Sequence, residues 1–225
     1  MHHWPLFSLT ITTPRLELRL PSLADLDELA GRAAEGIHDP AVMPFLHPWS
    51  DAEPEERARS TVQYHFRQWA GWTPAAWSCP LVTVFEGQVV GVQEVEAVDF
   101  AITREVRTGS WLGRRFQGLG IGTEMRRAAL HLAFDGLGAE SAVSEAYLDN
   151  HASLRVSRRL GYRDDGLVRH SRRGELALQQ RLRLDREEWS TPPGHRIDGL
   201  EACLPLFGPP TGPERAPGKR VGFSS

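Results

Sequence analysis

A short glycine-rich run is the part of this sequence best suited to chemistry. The segment Gln117–Thr123 reads Gln-Gly-Leu-Gly-Ile-Gly-Thr and stands between a predicted strand and a predicted helix. Glycines at alternate positions let a ligand approach the backbone closely, and the unpaired amides at a helix N-terminus point at whatever lies there. Together these features predict a cradle for a diphosphate.

Spacing and composition exclude two other phosphate-binding loops. A dinucleotide-binding fold needs G-x-G-x-x-G early in a strand–helix–strand unit, whereas this run reads G-x-G-x-G and lies halfway along the chain. A Walker loop needs a lysine, and Lys219 is the only lysine beside 25 arginines. The same scarcity excludes a Schiff-base lysine from the body of the fold.

The elements that must position this run predict an α/β domain. Spacing of Ser22 and Asp25 indicates a capping box at the first helix, and Asn150 is expected to cap the last one. Periodicity predicts the following elements: strands at 11–20, 80–85, 89–98, 104–112 and 141–148, two further strands within 162–184, and helices near 22–36, 54–69, 120–134 and 150–160.

Composition limits the class of protein and of partner. The chain has 225 residues, 40% of them hydrophobic, and a net charge of −3, which suits a globular protein. Residues 104–186 carry 16 arginines against 10 acids, whereas the remainder is acidic, so we expect an anionic ligand on the second half. No basic run is interleaved with aromatic residues, which argues against nucleic acid as a partner.

Cysteine usage and hydropathy predict a cytoplasmic protein. Cys79 and Cys203 lie far apart, with no CxxC and no histidine at ligand spacing, so we expect reduced thiols and no bound metal. No stretch reaches the roughly 18–20 apolar residues of a membrane helix. Prolines cluster after Trp189, so the predicted organisation is a domain at 1–189 and a Pro/Gly-rich tail at 190–225, extended or partly docked.

Three motifs in this order resemble the GNAT acyltransferase superfamily, which binds the pyrophosphate of acyl-CoA. Gln117–Gly122 matches the signature Q/R-x-x-G-x-G/A, and Asn150–Ser153 followed by Gly161-Tyr162 is similar to the N-x-x-S…G-F/Y element. The opening Thr13–Arg19 resembles the ribosomal-protein alanine N-acetyltransferase branch. The resemblance covers about 12–189 and implies the GNAT fold: a mixed, twisted, mostly antiparallel sheet with helices on both faces and a splayed central wedge.

The resemblance also implies a role for each matching residue. Asn150 would bind the pantetheine arm, Arg158 the 3′-phosphate, and Ser153 would lie near the thiol as the catalytic acid. The remaining CoA-binding positions are the edge-strand residues that would pair with pantetheine and the loop residues whose amides would hold the diphosphate: Trp111, Leu112, Gln117, Gly118, Gly120, Gly122 and Thr123.

The implied reaction is attack of a primary amine, on a small molecule or a protein, on the thioester of acetyl-CoA or succinyl-CoA. The family branch often has an acid on the strand before the glycine loop, but Arg107 stands there, so the catalytic base is not identified. The acids that could serve are Glu94, Glu96, Asp99, Glu145 and Asp149.

Three further questions stay open at the level of sequence. The opening H-W-P-L-F and the later P-L-F-G also resemble an actinobacterial branch associated with succinyl-CoA, for which Arg107 or His170 could supply the cation. A non-catalytic acyl-CoA sensor is the alternative to an enzyme. The acceptor pocket is expected at the Phe45–Trp49 loop, the second helix and the 162–184 hairpin, and a homo-oligomer is compatible with all of this.

Overall fold

Within residues 1–208, which the computed structural model describes, nine strands form one sheet. Their bounds are β1 Thr10–Thr12, β2 Leu16–Arg19, β3 Ala76–Phe85, β4 Gln88–Val98, β5 Glu105–Leu112, β6 Ser141–Tyr147, β7 Arg163–Arg172, β8 Glu175–Asp185 and β9 Arg196–Asp198. The spatial order is β7-β8-β6-β5-β4-β3-β2-β1-β9. All neighbours are antiparallel except β5 and β6, which are parallel. The expected mixed, mostly antiparallel sheet is therefore confirmed.

Helices cover both faces of the sheet. They are α1 Leu23–Glu35, α2 Pro54–Ala70, α3 Phe100–Thr103, α4 Ile121–His131 and α5 His151–Arg159. Helices α1 and α2 pack together over β3 and β4, whereas α4 contacts α5 and the strands β2, β4 and β5. The predicted capping box is present, because the Ser22 hydroxyl accepts from the Asp25 amide at 3.1 Å while the Asp25 carboxylate accepts from the Ser22 amide at 2.8 Å.

The first predicted strand, at 11–20, is in fact a tight hairpin of two strands. Thr13, Pro14 and Arg15 form the turn between β1 and β2, and Pro14 has no amide to continue a ladder. The Thr13 hydroxyl accepts from the Leu16 amide at 2.9 Å and thus closes the turn. The leucines of β2 face the core, as the alternation predicts. Periodicity did not predict, however, that the chain reverses direction at 13–15, inside the predicted strand.

The described part of the proline-rich segment packs on the body. Residues Arg196–Asp198 add β9 to the sheet beside β1, and Cys203 and Phe207 are buried. The indole of Trp77 donates to the Phe207 carbonyl at 3.1 Å, which fixes the end of this segment over the core. The rest of the predicted tail, 209–225, lies outside the described residues.

The end of α4 is also tied to this segment. Helix α4 passes into a wider turn at 132–136, and the Asp135 carboxylate there accepts from the Trp189 indole at 2.9 Å and the Thr191 hydroxyl at 3.0 Å. No helix among residues 1–208 combines the length and hydropathy that crossing a membrane would require.

Candidate active site

The parallel strands β5 and β6 pair over only three residues and then separate. Their ladder covers Glu105–Arg107 opposite Ser141–Val143, while β6 stays paired with β8 along its whole length and β5 stays paired with β4. At the point of separation the Ser144 hydroxyl donates to the Thr108 carbonyl at 3.4 Å. The sheet is therefore open as a wedge beyond Thr108, with one unpaired edge on each strand.

The glycine-rich loop lies at the mouth of this wedge, between the end of β5 and the start of α4. Gly118 and Gly120 have φ angles of +78° and +79°, in the left-handed region that favours glycine. Among the described residues, no protein acceptor receives the amides of 118–122. They form the group of free donors that anions bind at a helix N-terminus.

Two loop positions use their groups differently from the expectation. The Thr123 amide donates to the Gly120 carbonyl at 3.1 Å, so it is already occupied inside the loop and only the hydroxyl remains for a ligand. The Gln117 side chain donates to the carbonyls of Ile37, at 2.6 Å, and Leu112, at 3.0 Å. This side-chain amide therefore fixes the loop to the end of β5, and the Gln117 backbone amide is also occupied, because it donates to the Arg114 carbonyl at 3.3 Å.

The Asn150 element begins the last helix on the other side of the wedge. The Asn150 carboxamide oxygen caps α5 by accepting from the Ser153 amide at 3.2 Å, which occupies one of its polar groups. The Ser153 hydroxyl is half-buried and makes no hydrogen bond within residues 1–208. Arg158 is exposed and pairs with Asp164 at 3.3 Å, so a phosphate there would compete with this carboxylate.

The candidate catalytic bases differ in their hydrogen-bond and ion-pair partners. Glu94 accepts from the hydroxyls of Tyr64 and Ser78, and Asp149 pairs with Arg172 at 2.7 Å. Glu145 lies 3.2 Å from an Arg107 nitrogen. Asp99 has a φ of +50° and begins the short helix α3, beyond the end of β4.

The surroundings of Glu96 raise the pKa of its carboxyl. Burial raises the pKa of its carboxyl, and the neighbouring Glu94 raises it further, although Arg107 at 3.5 Å opposes both effects. Arg107 is one of the two residues expected to supply a cation for the carboxylate of a succinyl group. Because it pairs with both Glu96 and Glu145, its positive charge is already compensated.

A cavity of about 440 Å³ lies on the α2 side of the sheet, next to the closed end of the wedge. Its lining includes Glu96 from β4, Arg107 from β5, Val143 from β6 and Gln68 from α2. Arg107 and Val143 are the last paired residues of β5 and β6, so the cavity begins where the strands start to separate. It can hold a small organic group beside a carboxylate.

Two loops close over the open end of the wedge. Trp49, from the loop after α1, packs on Trp111 with ring centroids 5.7 Å apart. At the tip of the β7–β8 hairpin, Arg173 pairs with Asp51, and Arg172 donates to the Met43 carbonyl at 3.3 Å. The hairpin tip thus contacts the residues on either side of the expected Phe45–Trp49 loop.

Two tryptophans at the end of the second helix and just after it, where the acceptor pocket was expected, belong to packing instead. Trp72 is buried, and its indole donates to the Leu206 carbonyl at 2.8 Å. Trp69 packs edge-on against Phe7, with ring centroids 5.4 Å apart. Both rings therefore join the second helix to the N-terminal and C-terminal segments.

One polar residue of this region, Arg126, belongs to no motif. It lies in the second turn of α4, is 4% exposed, and reaches the hydroxyls of Ser110 at 3.0 Å, Ser144 at 3.1 Å and Ser157 at 3.5 Å. Its burial could have been inferred from the sequence, because its neighbours one turn away on the helix, Gly122, Ala129 and Leu130, carry no charge.

Comparison with known proteins agrees with this architecture. The RimJ protein of Mycobacterium smegmatis, in complex with a CoA disulfide, is 16% identical with a TM-score of 0.66, covering 89% of this chain and 95% of that one. The RimL ribosomal alpha-N-protein acetyltransferase with coenzyme A is 20% identical with a TM-score of 0.62, covering 79% and 97%. The microcin self-immunity acetyltransferase MccE, with acetyl-CoA and AMP, is 18% identical with a TM-score of 0.61, covering 76% and 93%.

These identities show a shared fold, and the family is shown by a separate match. Residues 15–163 match the model of the acetyltransferase (GNAT) domain, which spans the β2 strand, the wedge, the glycine loop and α5. The sheet with its single parallel pair and its helices on both faces is the GNAT fold. The chain belongs to the GNAT acetyltransferase family.

Proposed function

We propose that this protein transfers an acyl group from acyl-CoA to a primary amine by direct attack of the amine on the thioester. The observation that carries the proposal is the wedge between β5 and β6 with a loop of free amides at its mouth. The loop suits the diphosphate, and the unpaired edge of β5 suits the amides of a pantetheine arm. A thioester at the end of that arm would then reach the closed end of the wedge.

The CoA contacts follow from this placement. The amides of Gly118, Gly120 and Gly122 would hold the diphosphate, and the backbone of Trp111 and Leu112 would pair with pantetheine. The free group of the Asn150 carboxamide would bind the same arm from α5. Gln117 would support the site by holding the loop through its side chain, Thr123 would use its hydroxyl, and Arg158 would exchange Asp164 for the 3′-phosphate.

The amine would enter from the cavity on the α2 side. Amines are mostly protonated at neutral pH, so a base must take a proton before nitrogen can attack. Glu96 lines that cavity, and its raised pKa makes it a better base than an ordinary carboxylate. Nitrogen then forms a bond to the carbonyl carbon and the carbon–sulfur bond breaks. The Ser153 hydroxyl would pass its proton to the leaving thiolate while it takes the second proton of the attacking nitrogen, so that the amide, the CoA thiol and serine all end neutral.

The donor is acetyl-CoA or succinyl-CoA, and the acceptor is a small molecule or a protein amine. RimL is a ribosomal alpha-N-protein acetyltransferase and MccE a microcin self-immunity acetyltransferase, so the same fold occurs in acetyltransferases with different roles. In this chain the cavity from which the amine would enter has a volume of about 440 Å³, which favours a slender acceptor such as a small amine or a chain terminus.

Release of the CoA thiol in the presence of amines tests the function. The protein is incubated with acetyl-CoA and, separately, with succinyl-CoA, alone and with a panel of small amines and peptides. Amine-dependent thiol release, with a product heavier by the acyl group, is the expected result. Tight binding of both donors without amine-dependent release would instead identify an acyl-CoA-binding module without turnover.

A further inference from the structure

Glu94 is a half-buried carboxylate that two hydroxyls hold and no cation pairs with. Its side chain lies on the α2 side of β4, and its Oε1 accepts hydrogen bonds from Tyr64 on α2 and Ser78 on β3. Within residues 1–208 no arginine or histidine forms an ion pair with Glu94, whereas Glu96, on the same strand, pairs with Arg107 at 3.5 Å. The negative charge of Glu94 is therefore not compensated by the protein.

The second oxygen of this carboxylate lies beside the open wedge. Glu94 stands opposite Gly109 of β5, and its Oε2 is 3.8 Å from the position that a Cβ of Gly109 would occupy. Gly109 follows Thr108, beyond which β5 and β6 no longer pair. Among residues 1–208 no group donates a hydrogen bond to Oε2. A ligand at the free edge of β5 can therefore reach this oxygen.

Tyr64 fixes the orientation of the carboxylate. Burial and the neighbouring Glu94 raise the pKa of Tyr64, so the phenol keeps its proton and remains a hydrogen-bond donor. Because Ser78 donates to the same oxygen from another element, the carboxylate is held from both α2 and β3. A side chain that is already ordered loses less conformational freedom when a ligand binds to it.

The cavity on the α2 side leads to Glu94. Ser78 and Glu96 both line that cavity, and Glu94 shares a sheet face with Glu96, two residues or roughly 7 Å away along β4. Glu96 stands opposite Arg107 at the closed end of the wedge, whereas Glu94 stands opposite Gly109 in its open part. A group that enters through the cavity therefore meets Glu96 on one side and Glu94 next to the free strand edge.

We propose that Glu94, positioned by Tyr64, binds the ammonium group of the acceptor, so that the protein selects alkylamines, which are cations at neutral pH, over uncharged molecules of the same shape. The inference rests on the proposed function, because it assumes that the amine reacts in the wedge. An ammonium group has three N–H donors, so one proton can pass to Glu96 while another N–H stays bonded to Glu94 Oε2. The retained bond would orient the nitrogen toward the thioester.

Ligand-observed NMR titration of the CoA-bound protein tests this site without requiring turnover. The probes are benzylamine, which is a cation at neutral pH, and benzyl alcohol, which has the same shape and no charge. A hydrogen bond between charged groups corresponds to about ten- to hundred-fold tighter binding of benzylamine. Glu94→Gln should lose that preference while the affinity for CoA stays at the wild-type value. Glu86→Gln, in the β3–β4 turn, is the matched control and should keep the preference.

Tyr64→Phe tests positioning separately from packing. The change removes the hydroxyl and keeps the ring, so benzylamine should bind about two- to ten-fold less tightly, the range of one hydrogen bond, while benzyl alcohol binds as before. Structural damage would instead weaken both probes alike. Ser60→Ala removes another hydroxyl of α2, one that donates to the Arg57 carbonyl at 3.0 Å, and should change neither affinity.

Each outcome decides the proposal. Equal affinity of the wild type for the two probes overturns it, and so does a preference that survives in Glu94→Gln or disappears equally in Glu86→Gln. An unchanged affinity for benzylamine in Tyr64→Phe overturns the positioning role. If Glu94→Gln does not fold, Gly109→Ala replaces it, because a Cβ 3.8 Å from Oε2 makes an ordinary contact and fills the space beside that oxygen. This variant should also lose the preference for benzylamine.

The same variants separate this inference from the proposed reaction. A preference for benzylamine that depends on Glu94, with no amine-dependent release of the CoA thiol, would support the ammonium site and contradict the transferase. Amine-dependent release with the same KM for benzylamine in the wild type and Glu94→Gln would support the transferase and contradict the ammonium site.

Discussion

Arg15 and Glu124 join the N-terminal hairpin to the first turn of the helix that follows the glycine loop. The Arg15 Nε donates to Glu124 Oε2 at 2.7 Å, and its Nη1 donates to the Leu119 carbonyl at 3.3 Å. The Glu124 carboxylate also accepts from the Thr13 hydroxyl at 2.6 Å. The motif at the start of the chain therefore supports the loop that lies more than 100 residues later.

We predict that Glu124→Ala lowers the free energy of unfolding by about 1–3 kcal/mol, because Thr13 and Arg15 lose a shared charged acceptor. Glu28→Ala is the matched control, since Glu28 pairs with Arg32 on the surface of α1 and such pairs contribute about 0–1 kcal/mol. Urea unfolding monitored by tryptophan fluorescence measures both. Equal effects of the two changes would contradict a supporting role for the Arg15–Glu124 pair.

The Glu124 carboxylate also makes the free energy of unfolding depend on pH, and its pKa fixes the direction of that dependence. Burial raises the pKa of Glu124, but hydrogen bonds from Thr13 and Arg15 outweigh it and leave the pKa below its usual value. Its contribution is therefore complete above the ordinary glutamate pKa and is lost as pH falls through the lowered value. The stability difference between wild type and Glu124→Ala should shrink on acidification.

We predict that Gly122→Val abolishes CoA binding in a folded protein. The φ angle of Gly122 is not positive, and a Cβ there meets only Leu112 Cδ1 at 3.7 Å, an ordinary contact. The larger side chain would instead occupy the space in front of the free amides. Gly31→Val, at a helix glycine whose Cβ meets nothing within 4 Å, controls for the general cost of valine. Calorimetric affinity within a few-fold of wild type would contradict the diphosphate cradle.

Local signals in the sequence predicted the parts of the site that depend on neighbours along the chain. The Ser22–Asp25 capping box and the glycine loop are formed by residues a few positions apart, so spacing alone identifies them. Arg126 depends on three serines from three other elements, and only the fold brings them together. The pairing of Arg107 with acids on both neighbouring strands could not be predicted either, since it depends on strand register.

We predict that Glu96→Gln lowers kcat/KM by about 10²–10⁴, the range typical of an acid–base group. Burial and Glu94 raise the pKa of the Glu96 carboxyl, so the rate of the wild type should fall on the acid side above the ordinary glutamate pKa. That limb of the pH profile should be absent in Glu96→Gln, while CoA affinity stays unchanged. Glu86→Gln, in the β3–β4 turn, should leave both quantities alone. An acid limb that persists in Glu96→Gln would assign the base to another residue.

We predict that Arg172→Ala raises KM for the amine and leaves the affinity for CoA unchanged. The Arg172 guanidinium pairs with Asp149, donates to the Met43 carbonyl and lies 4.3 Å over the Tyr147 ring, so it holds the hairpin against the loop after α1. Its hydrogen bond lowers the pKa of Asp149, which keeps the pair ionised to acidic pH. Arg169→Ala, an exposed position on the same strand, is the control. A change in CoA affinity without a change in KM would place this contact in the donor site.

The last prediction separates the chemical role of Ser153 from the structural role of Asn150. The Ser153 amide, not its hydroxyl, is used in the helix cap, so Ser153→Ala removes only a free hydroxyl. If that hydroxyl protonates the leaving thiolate, kcat falls by about 10²–10⁴ while the melting temperature and CoA affinity stay at wild-type values. Asn150→Ala removes the cap and should cost about 1 kcal/mol of stability, visible as a lower melting temperature. An unchanged kcat in Ser153→Ala would show that the thiolate leaves without this hydroxyl, and a replacement of Ser153 by cysteine, which keeps a proton donor, should then also be without effect.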